Sequence, residues 1–304
     1  MKILVTGGAG YTGIPLCQAL LDDGHQVTVV DSFMFGFSPI LHLASNPKLT
    51  VVKRDIRNED EDYLRGQDVI YHLAGISGYP ACEANPNAAR LINIDATRRL
   101  VEAISPNQLL IYASTTSFYG QSRTECRETD RIVPVNLYGE SKKEGEDIVM
   151  QRANSISLRW ATVFGSSSRM RNDLMVNDFV DKAIRERTLV LYDPDSTRTF
   201  MHVSDLVRGY LFALKNSDRM RGQIFNMGSS QLNYTKRQIA ENIRSQVSCE
   251  IIIAKSGDKD VRDFLVNFDK ASALGYNCLI SLEAGISELV KLYRFYTPTL
   301  YSAV

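Results

Sequence analysis

Tyr138 and Lys142 stand four residues apart, a spacing that places both side chains on one face of a helix, one turn from each other. A phenol, with an ordinary pKa of about 10, is a poor base at neutral pH, but a neighbouring ammonium stabilises its phenolate. Such a pair can take the proton of an alcohol. The apolar run Leu109 to Ala113 ends in Ser114-Thr115-Thr116-Ser117, a hydroxyl cluster where that alcohol can be held, with Thr115 as its hydrogen-bond partner and Thr116 beside it. Pro134, four residues ahead of Tyr138, can start the helix. A Tyr-x-x-x-Lys spacing alone is common by chance, so its meaning depends on what surrounds it.

A second group of residues supplies that setting. Gly7, Gly10 and Gly13, with Tyr11 and Thr12 between the last two, lie between a β-branched run and a helical one. Glycines there permit a tight turn, let backbone N–H groups approach a pyrophosphate, and bring helix and sheet together, while the helix N-terminus favours negative charge. The next strand ends at Asp31, followed by Ser32. A carboxylate at that place accepts hydrogen bonds from a ribose diol and repels a 2′-phosphate, which selects NAD over NADP. Asp55-Ile56 follows the third strand; Asp55 can meet the adenine amino group or cap a helix. His72-Leu73-Ala74-Gly75 ends the fourth strand with small residues that let a dinucleotide cross the carboxyl edge of the sheet, His72 itself reading as a packed histidine.

The elements that must position these residues alternate. Strands are expected at Lys2 to Thr6, Val27 to Val30, Leu49 to Lys53, Val69 to Leu73, Leu109 to Ala113 and Ile156 to Arg159, with helices at Ile14 to Leu21, Asp60 to Arg65, Ala88 to Ile104 and Leu137 to Arg152. That order predicts an α/β fold, a Rossmann-type doubly wound parallel sheet with a smaller C-terminal α/β substrate-binding lobe. The dinucleotide domain is expected over residues 1–164, completed by about 195–230, and the lobe over 165–194 and 231–304. In that second half the pattern gives helices at Asp173 to Arg187, Ser204 to Lys215, Lys236 to Gln246 and Leu282 to Tyr296, a strand at Gln223 to Met227, and a loosely held tail from Tyr296 to Val304.

The totals exclude several classes. With 44% hydrophobic and 23% charged residues the chain is globular, and a formal net charge of zero with scattered Lys and Arg gives no footprint for nucleic acid. Five dispersed cysteines without a CxxC pair suggest neither a disulfide framework nor a thiolate zinc site, and the four histidines lack metal-ligand spacing, so no metal is expected. No apolar run has the length of a signal core or a membrane span, so the expectation is a cytoplasmic protein without a membrane partner.

Taken in this order, the glycine turn, Asp31, the threonine cluster, Tyr138 and Lys142 resemble the extended short-chain dehydrogenase/reductase family, in its nucleotide-sugar epimerase/dehydratase branch. The resemblance spans nearly the whole chain and includes residues 111–120, Leu158 to Gly165, Arg198 to Leu206 and Phe225 to Gly228. It implies that Thr115 takes the family's Ser/Thr position, that Asn93 supports the cofactor site, and that Arg198 and Arg262 face the nucleotide diphosphate, a task that suits guanidinium forks; a surface salt bridge is the other reading of each arginine. The stretch from Ala161 to Phe179, which includes Thr162, Arg171 and Asn177, is similar to GDP-heptose C4 dehydrogenase-like and sugar 4-epimerase-like members. Arg171 and Asn177 are read there as substrate contacts, or as exposed and capping residues.

The resemblance implies an NAD-dependent oxidation and reduction at a sugar carbon, C4 above all, of a GDP- or UDP-linked sugar, by an epimerase or a dehydrogenase. It also suggests a homodimer through the helices at Ala88 to Ile104 and Leu137 to Arg152. Dehydratases of the branch carry an Asp-Glu pair after the catalytic threonine, whereas Thr116-Ser117 stand here, which disfavours the alternative of a 4,6-dehydratase. A non-catalytic NAD-sensing protein on the same fold is the other alternative, and the presence of both Tyr138 and Lys142 speaks against it. Thr199 and Asp173 replace residues common in relatives that bind uridine diphosphate.

Overall fold

Strand residues that alternate between two buried faces build the centre of the molecule. Ile3, Val5, Tyr71 and Ile111 belong to one apolar cluster, while Leu4, Ile70, Leu110 and Tyr112 belong to another on the opposite side of the sheet. This two-sided burial is what a parallel sheet covered by helices requires. The computed structural model describes residues 1–58, 61–122, 124–255, 257 and 262–297.

The strands are β1 (Lys2–Thr6), β2 (Gln26–Asp31), β3 (Leu49–Lys53), β4 (Val69–His72), β5 (Leu109–Thr115), β6 (Ser155–Trp160), β7 (Thr162–Phe164), β8 (Thr188–Leu191), β9 (Thr197–His202), β10 (Gln223–Met227), β11 (Asn233–Thr235) and β12 (Glu250–Ile253). Seven form one sheet in the order β10-β6-β5-β4-β1-β2-β3, each neighbouring pair parallel. The chain order reverses between β1 and β4, and a cleft at the carboxyl end of such a switch point is where open α/β sheets bind ligands.

Beyond β6 the rhythm changes, as the sequence suggests. A three-stranded sheet, β11-β9-β7, and a parallel pair, β12-β8, sit in the second half, with a separate core of Val176, Val180, Ile239, Ile243, Ile286 and Leu289. The division of the chain differs in detail from the sequence-based expectation. β10 joins the main sheet, but β9 belongs to the lobe's sheet, and Phe264, Val266, Phe268 and Tyr276 pack into the main core rather than the lobe's.

Other differences are local. The helix expected over Ala88 to Ile104 is broken into Pro86–Arg90, a π-helical turn Leu91–Asp95 and Ala96–Ala103. Only Asp62–Leu64 of the helix expected over Asp60 to Arg65 forms a short 3-10 turn, and its first residue, Asp60, lies outside the described residues, as does most of the expected tail. Among the described residues, no helix is long and apolar enough to cross a membrane.

Candidate active site

The glycine turn is closed by packing that a side chain would prevent. Gly7 has φ +69°, and a Cβ on it would lie 2.7 Å from Ala74 N; a Cβ on Gly13 would lie 2.3 Å from Gly7 O. Gly7 N donates to Val30 O at 2.8 Å, which ties the turn to β2. Helix Gly13–Asp22 follows with Thr12 at its N-cap and no acidic residue in its first turn. The positive end of the helix is left to a ligand, as a pyrophosphate site requires.

Asp31 ends β2 beside that turn. Its Oδ2 accepts from Ala9 N at 3.0 Å and its Oδ1 from Phe33 N at 2.8 Å, so the carboxylate is aimed by backbone groups on both sides. Burial pushes its pKa up, and these backbone bonds together with the Arg169 charge oppose the rise. Ser32, between them, is half-buried. Phe33 has φ +56°, a strained conformation for a bulky residue and of the kind found at ligand sites. Arg169, which sequence reasoning did not single out, reaches from the lobe to stack on Phe35, its guanidinium 3.7 Å from the ring centroid. No spacing signal marks it, because the contact depends on how the lobe folds back.

Asp55 is engaged by its own neighbour. It accepts from Arg57 Nε at 3.0 Å and from Arg57 N at 2.9 Å, and the Arg57 side chain pulls its pKa down. It caps a turn rather than a helix, and Ile56 beside it is buried. Leu73 N and Ala74 N donate to Thr6 O and Thr6 Oγ1 at 3.1 and 3.3 Å. A Cβ on Gly75 would lie 2.9 Å from Asn93 Oδ1, so the edge of the sheet is kept low here.

Asn93 lies in the π-helical turn and is 1% exposed. Its Oδ1 accepts from Ile76 N at 2.8 Å, and its Nδ2 donates to Ile76 O and to Ser141 Oγ, each at 3.0 Å. One amide thus ties the loop after β4 to the helix that carries Tyr138 and Lys142. π-Turns recur at functional sites because they redirect one side chain. His72 is locked between Thr6 Oγ1 at 2.7 Å and Thr97 Oγ1 at 3.0 Å; burial, reinforced by the Lys142 charge, pushes its pKa down to about 3.

Helix Leu137–Val149 begins at Asn136, whose side chain accepts from Gly139 N at 2.9 Å. Asn136 thus caps the helix in place of the expected start at Pro134. Gly139 lets the first turn press on the 3-10 turn Ser117–Tyr119 that follows Thr115: a Cβ there would lie 3.4 Å from Phe118 Cα and 3.1 Å from Pro134 Cβ. Tyr138 is half-buried at this contact, and Arg171 and Tyr112 both lie within its electrostatic reach. Lys142 is 8% exposed. Thr115 Oγ1 accepts from Ser117 N at 3.0 Å, a bond that uses a lone pair and leaves its proton to give. Thr116 instead donates to Trp160 O at 3.1 Å and is turned into the sheet.

The lobe contributes a loop that crosses the cleft. Tyr11 Oη donates to Gly165 O, and Ser167 Oγ donates to Tyr11 O, both at 2.8 Å. Arg171 pairs with Asp173 and donates to Ser77 Oγ at 3.2 Å, beyond the fourth strand. Asn177 is fully buried; its Oδ1 accepts from Gly165 N at 3.0 Å and its Nδ2 donates to Arg171 O at 2.9 Å. It shapes this loop, and a substrate contact by Asn177 would have to displace those bonds. Thr162, on β7, is half-buried. Arg198 is buried on β9, and the segment that follows Arg262 runs along the start of that strand, since Thr197 N donates to Asp263 Oδ1 at 2.8 Å and Phe264 N to Thr197 O at 3.1 Å.

The model of the NAD dependent epimerase/dehydratase family matches residues 3–228. YtcB of Bacillus subtilis, an uncharacterized UDP-glucose epimerase, is 32% identical over 251 residues, which are 76% of this chain and 78% of that protein. UDP-glucuronic acid decarboxylase 1 of Arabidopsis thaliana is 29% identical over 311 residues, 97% of this chain and 70% of that one. Among solved structures, UDP-glucuronic acid 4-epimerase from Bacillus cereus, in complex with UDP-glucuronic acid and NAD, is 28% identical with a TM-score of 0.86, and the match covers 97% of this chain and 99% of that chain.

Proposed function

This chain belongs to the NAD dependent epimerase/dehydratase family, and from that premise we propose that it epimerises a nucleotide-diphosphate sugar at C4. It is an NAD-dependent enzyme, and its turn, helix terminus and Asp31 fit the dinucleotide: the turn has no room for side chains where a pyrophosphate approaches, and the carboxylate is aimed by two backbone groups. NAD, when bound, supplies the acceptance and return of hydride at the sugar carbon.

Tyr138 removes the proton of the C4 hydroxyl and later gives it back, as a general base and then acid. Lys142 sustains the phenolate by its charge. Thr115 gives its proton to the sugar oxygen as that oxygen becomes a ketone, and loss of such a donor costs roughly 10- to 1,000-fold in rate. Arg198 and Arg262 receive the diphosphate, and Thr162 and Arg171 border the sugar, whereas Thr116, bonded to Trp160 O, faces into the sheet and not the sugar. The observation that carries the reading is the docking of the Tyr138 helix, through Gly139, onto Phe118 in the turn that follows Thr115. The loop that crosses the cleft at Tyr11 and Ser77 favours an epimerase over a net dehydrogenase, because it covers the groove in which the cofactor would have to exchange. Two copies are proposed to pair through the helices around Ala96–Ala103 and Leu137–Val149.

Purified enzyme given GDP- and UDP-sugars should interconvert C4 epimers without accumulating reduced cofactor, and Tyr138→Phe should abolish turnover. Stoichiometric release of a ketosugar with reduced cofactor would identify a dehydrogenase instead, and undiminished turnover by Tyr138→Phe would remove the proposed base. The same assay, run with both nucleotide series, assigns the base.

A further inference from the structure

The partner of Lys142 lies on the neighbouring strand. Its Nζ donates to Tyr112 Oη at 2.8 Å and lies 4.0 Å from the centroid of the Tyr112 ring. Tyr112 is 1% exposed and stands on β5, three residues before Thr115. Room for its hydroxyl is made by Gly145, inside the Tyr138 helix: a Cβ there would lie 2.4 Å from Tyr112 Oη. A glycine weakens a helix interior, and this one has a steric reason to be present.

We infer that Tyr112 is a positioning residue for proton transfer, its hydroxyl and ring face holding the Lys142 amine as an ammonium at the buried end of the cleft. The inference rests on the roles given above to Tyr138 and Lys142. An ammonium out of water keeps its charge only where acceptors replace its hydration, and Tyr112 offers both a lone pair and a π face.

The other groups around Lys142 do not make Tyr112 redundant. Glu146, on the same helix, favours the ammonium, and so does Cys82 from helix Tyr79–Ala84, but burial outweighs both and pushes Lys142 down to about 7. His72 on β4 is held neutral between two threonines, and Tyr138 is the group to be activated. Lys142 therefore titrates where the loss of one acceptor moves it out of the ammonium range. Tyr112 is itself pushed well above an ordinary phenol by burial, so it stays protonated and does not compete with Tyr138 as the base.

Tyr112→Phe keeps the ring and removes the oxygen. In full-length protein labelled with nitrogen-15 lysine, Lys142 should titrate near 7 in the wild type and about one unit lower in the variant, roughly tenfold in acid constant. Lys142→Arg identifies the resonance. Because turnover needs the ammonium, the alkaline limb of the kcat profile should move to lower pH by the same amount, with KM for the sugar nucleotide little changed. Tyr112→Gln, which restores an acceptor oxygen without the ring, should recover part of the shift, and it serves in place of Tyr112→Phe should that variant not fold. An unchanged Lys142 titration in Tyr112→Phe, or one lowered equally in Tyr112→Gln and Tyr112→Phe, overturns the inference. Turnover by Tyr138→Phe would instead remove the assigned base while leaving the Lys142 titration as it is, so the two failures are distinguishable.

Discussion

Glu146 and Arg159 form an ion pair at 2.7 Å with side chains 1% and 3% exposed. Glu146 lies on the helix of Tyr138 and Lys142, one turn past Lys142, and Arg159 lies on β6. Ser157 Oγ donates to Glu146 Oε2, and Arg159 Nη1 donates to Tyr119 Oη, each at 2.7 Å. Tyr119 Oη donates in turn to Asn226 Oδ1 at 2.8 Å. The network joins the helix of Tyr138 and Lys142, the turn after Thr115 and β10, so one buried pair sets the height and rotation of Tyr138 over the sheet.

Removal of one partner should therefore be costly. Arg159→Met leaves the Glu146 carboxylate buried without its guanidinium, a change worth about 3–5 kcal/mol. Urea unfolding would measure it, and the double variant Arg159→Met, Glu146→Leu should recover much of the loss, because the desolvated charge is gone. A single variant that unfolds within about 1 kcal/mol of the wild type would show that the pair bears no such load.

The two adjacent threonines should separate kinetics from stability. Thr115→Val removes a hydroxyl with a proton to give toward the cleft and should lower kcat by roughly 10- to 1,000-fold with little change in melting. Thr116→Val removes a bond into Trp160 O and should cost about 1 kcal/mol of stability while leaving kcat nearly intact. Equal kinetic losses in both would contradict the different directions of the two hydroxyls.

The parts of this site that lie on short repeats of local geometry were legible in the sequence. The glycine turn, Asp31 at the end of its strand and the Tyr138–Lys142 spacing each follow from short local spacings of three, two and four residues, and the parallel sheet follows from the alternation of elements. What depends on distant chain segments was not. Arg169 meets Phe35, and Tyr112 meets Lys142, across intervals that no periodicity spans. The lobe's short strands β7, β8, β9, β11 and β12 carry three to six residues each, too few for alternation to stand out from loop sequence. The break at Asn93 escaped notice because a π-turn keeps the composition of the helix around it. Glu146 continues the four-residue spacing of Tyr138 and Lys142, a signal that could have marked it as the helix's buried face.

Asp31 should govern the choice of cofactor. Its carboxylate is fixed by Ala9 N and Phe33 N, so Asp31→Asn keeps the shape and removes the charge. Calorimetric titration of cofactor-free protein should show NAD binding weakened roughly 10- to 150-fold, as expected for loss of a charge-assisted hydrogen bond of about 1.5–3 kcal/mol, and a gain in relative affinity for NADP. An unaltered preference between the two would move the ribose away from Asp31.

Acid should destabilise the fold through His72. Its pKa falls from an ordinary 6.5 to about 3, chiefly by burial, so the folded chain refuses a proton that the unfolded chain accepts. A depressed pKa of this kind means that stability present above 6.5 is lost as pH falls toward 3. The full slope is about 1.4 kcal/mol per pH unit, and between pH 6 and pH 5 His72 alone should account for about 1.2 kcal/mol. His72→Gln has no such titration, so its urea unfolding free energy should decline less over that interval, by about that amount. Parallel declines in wild type and variant would mean that His72 is protonated in the folded protein, and the neutral ring between Thr6 and Thr97 would have to be abandoned.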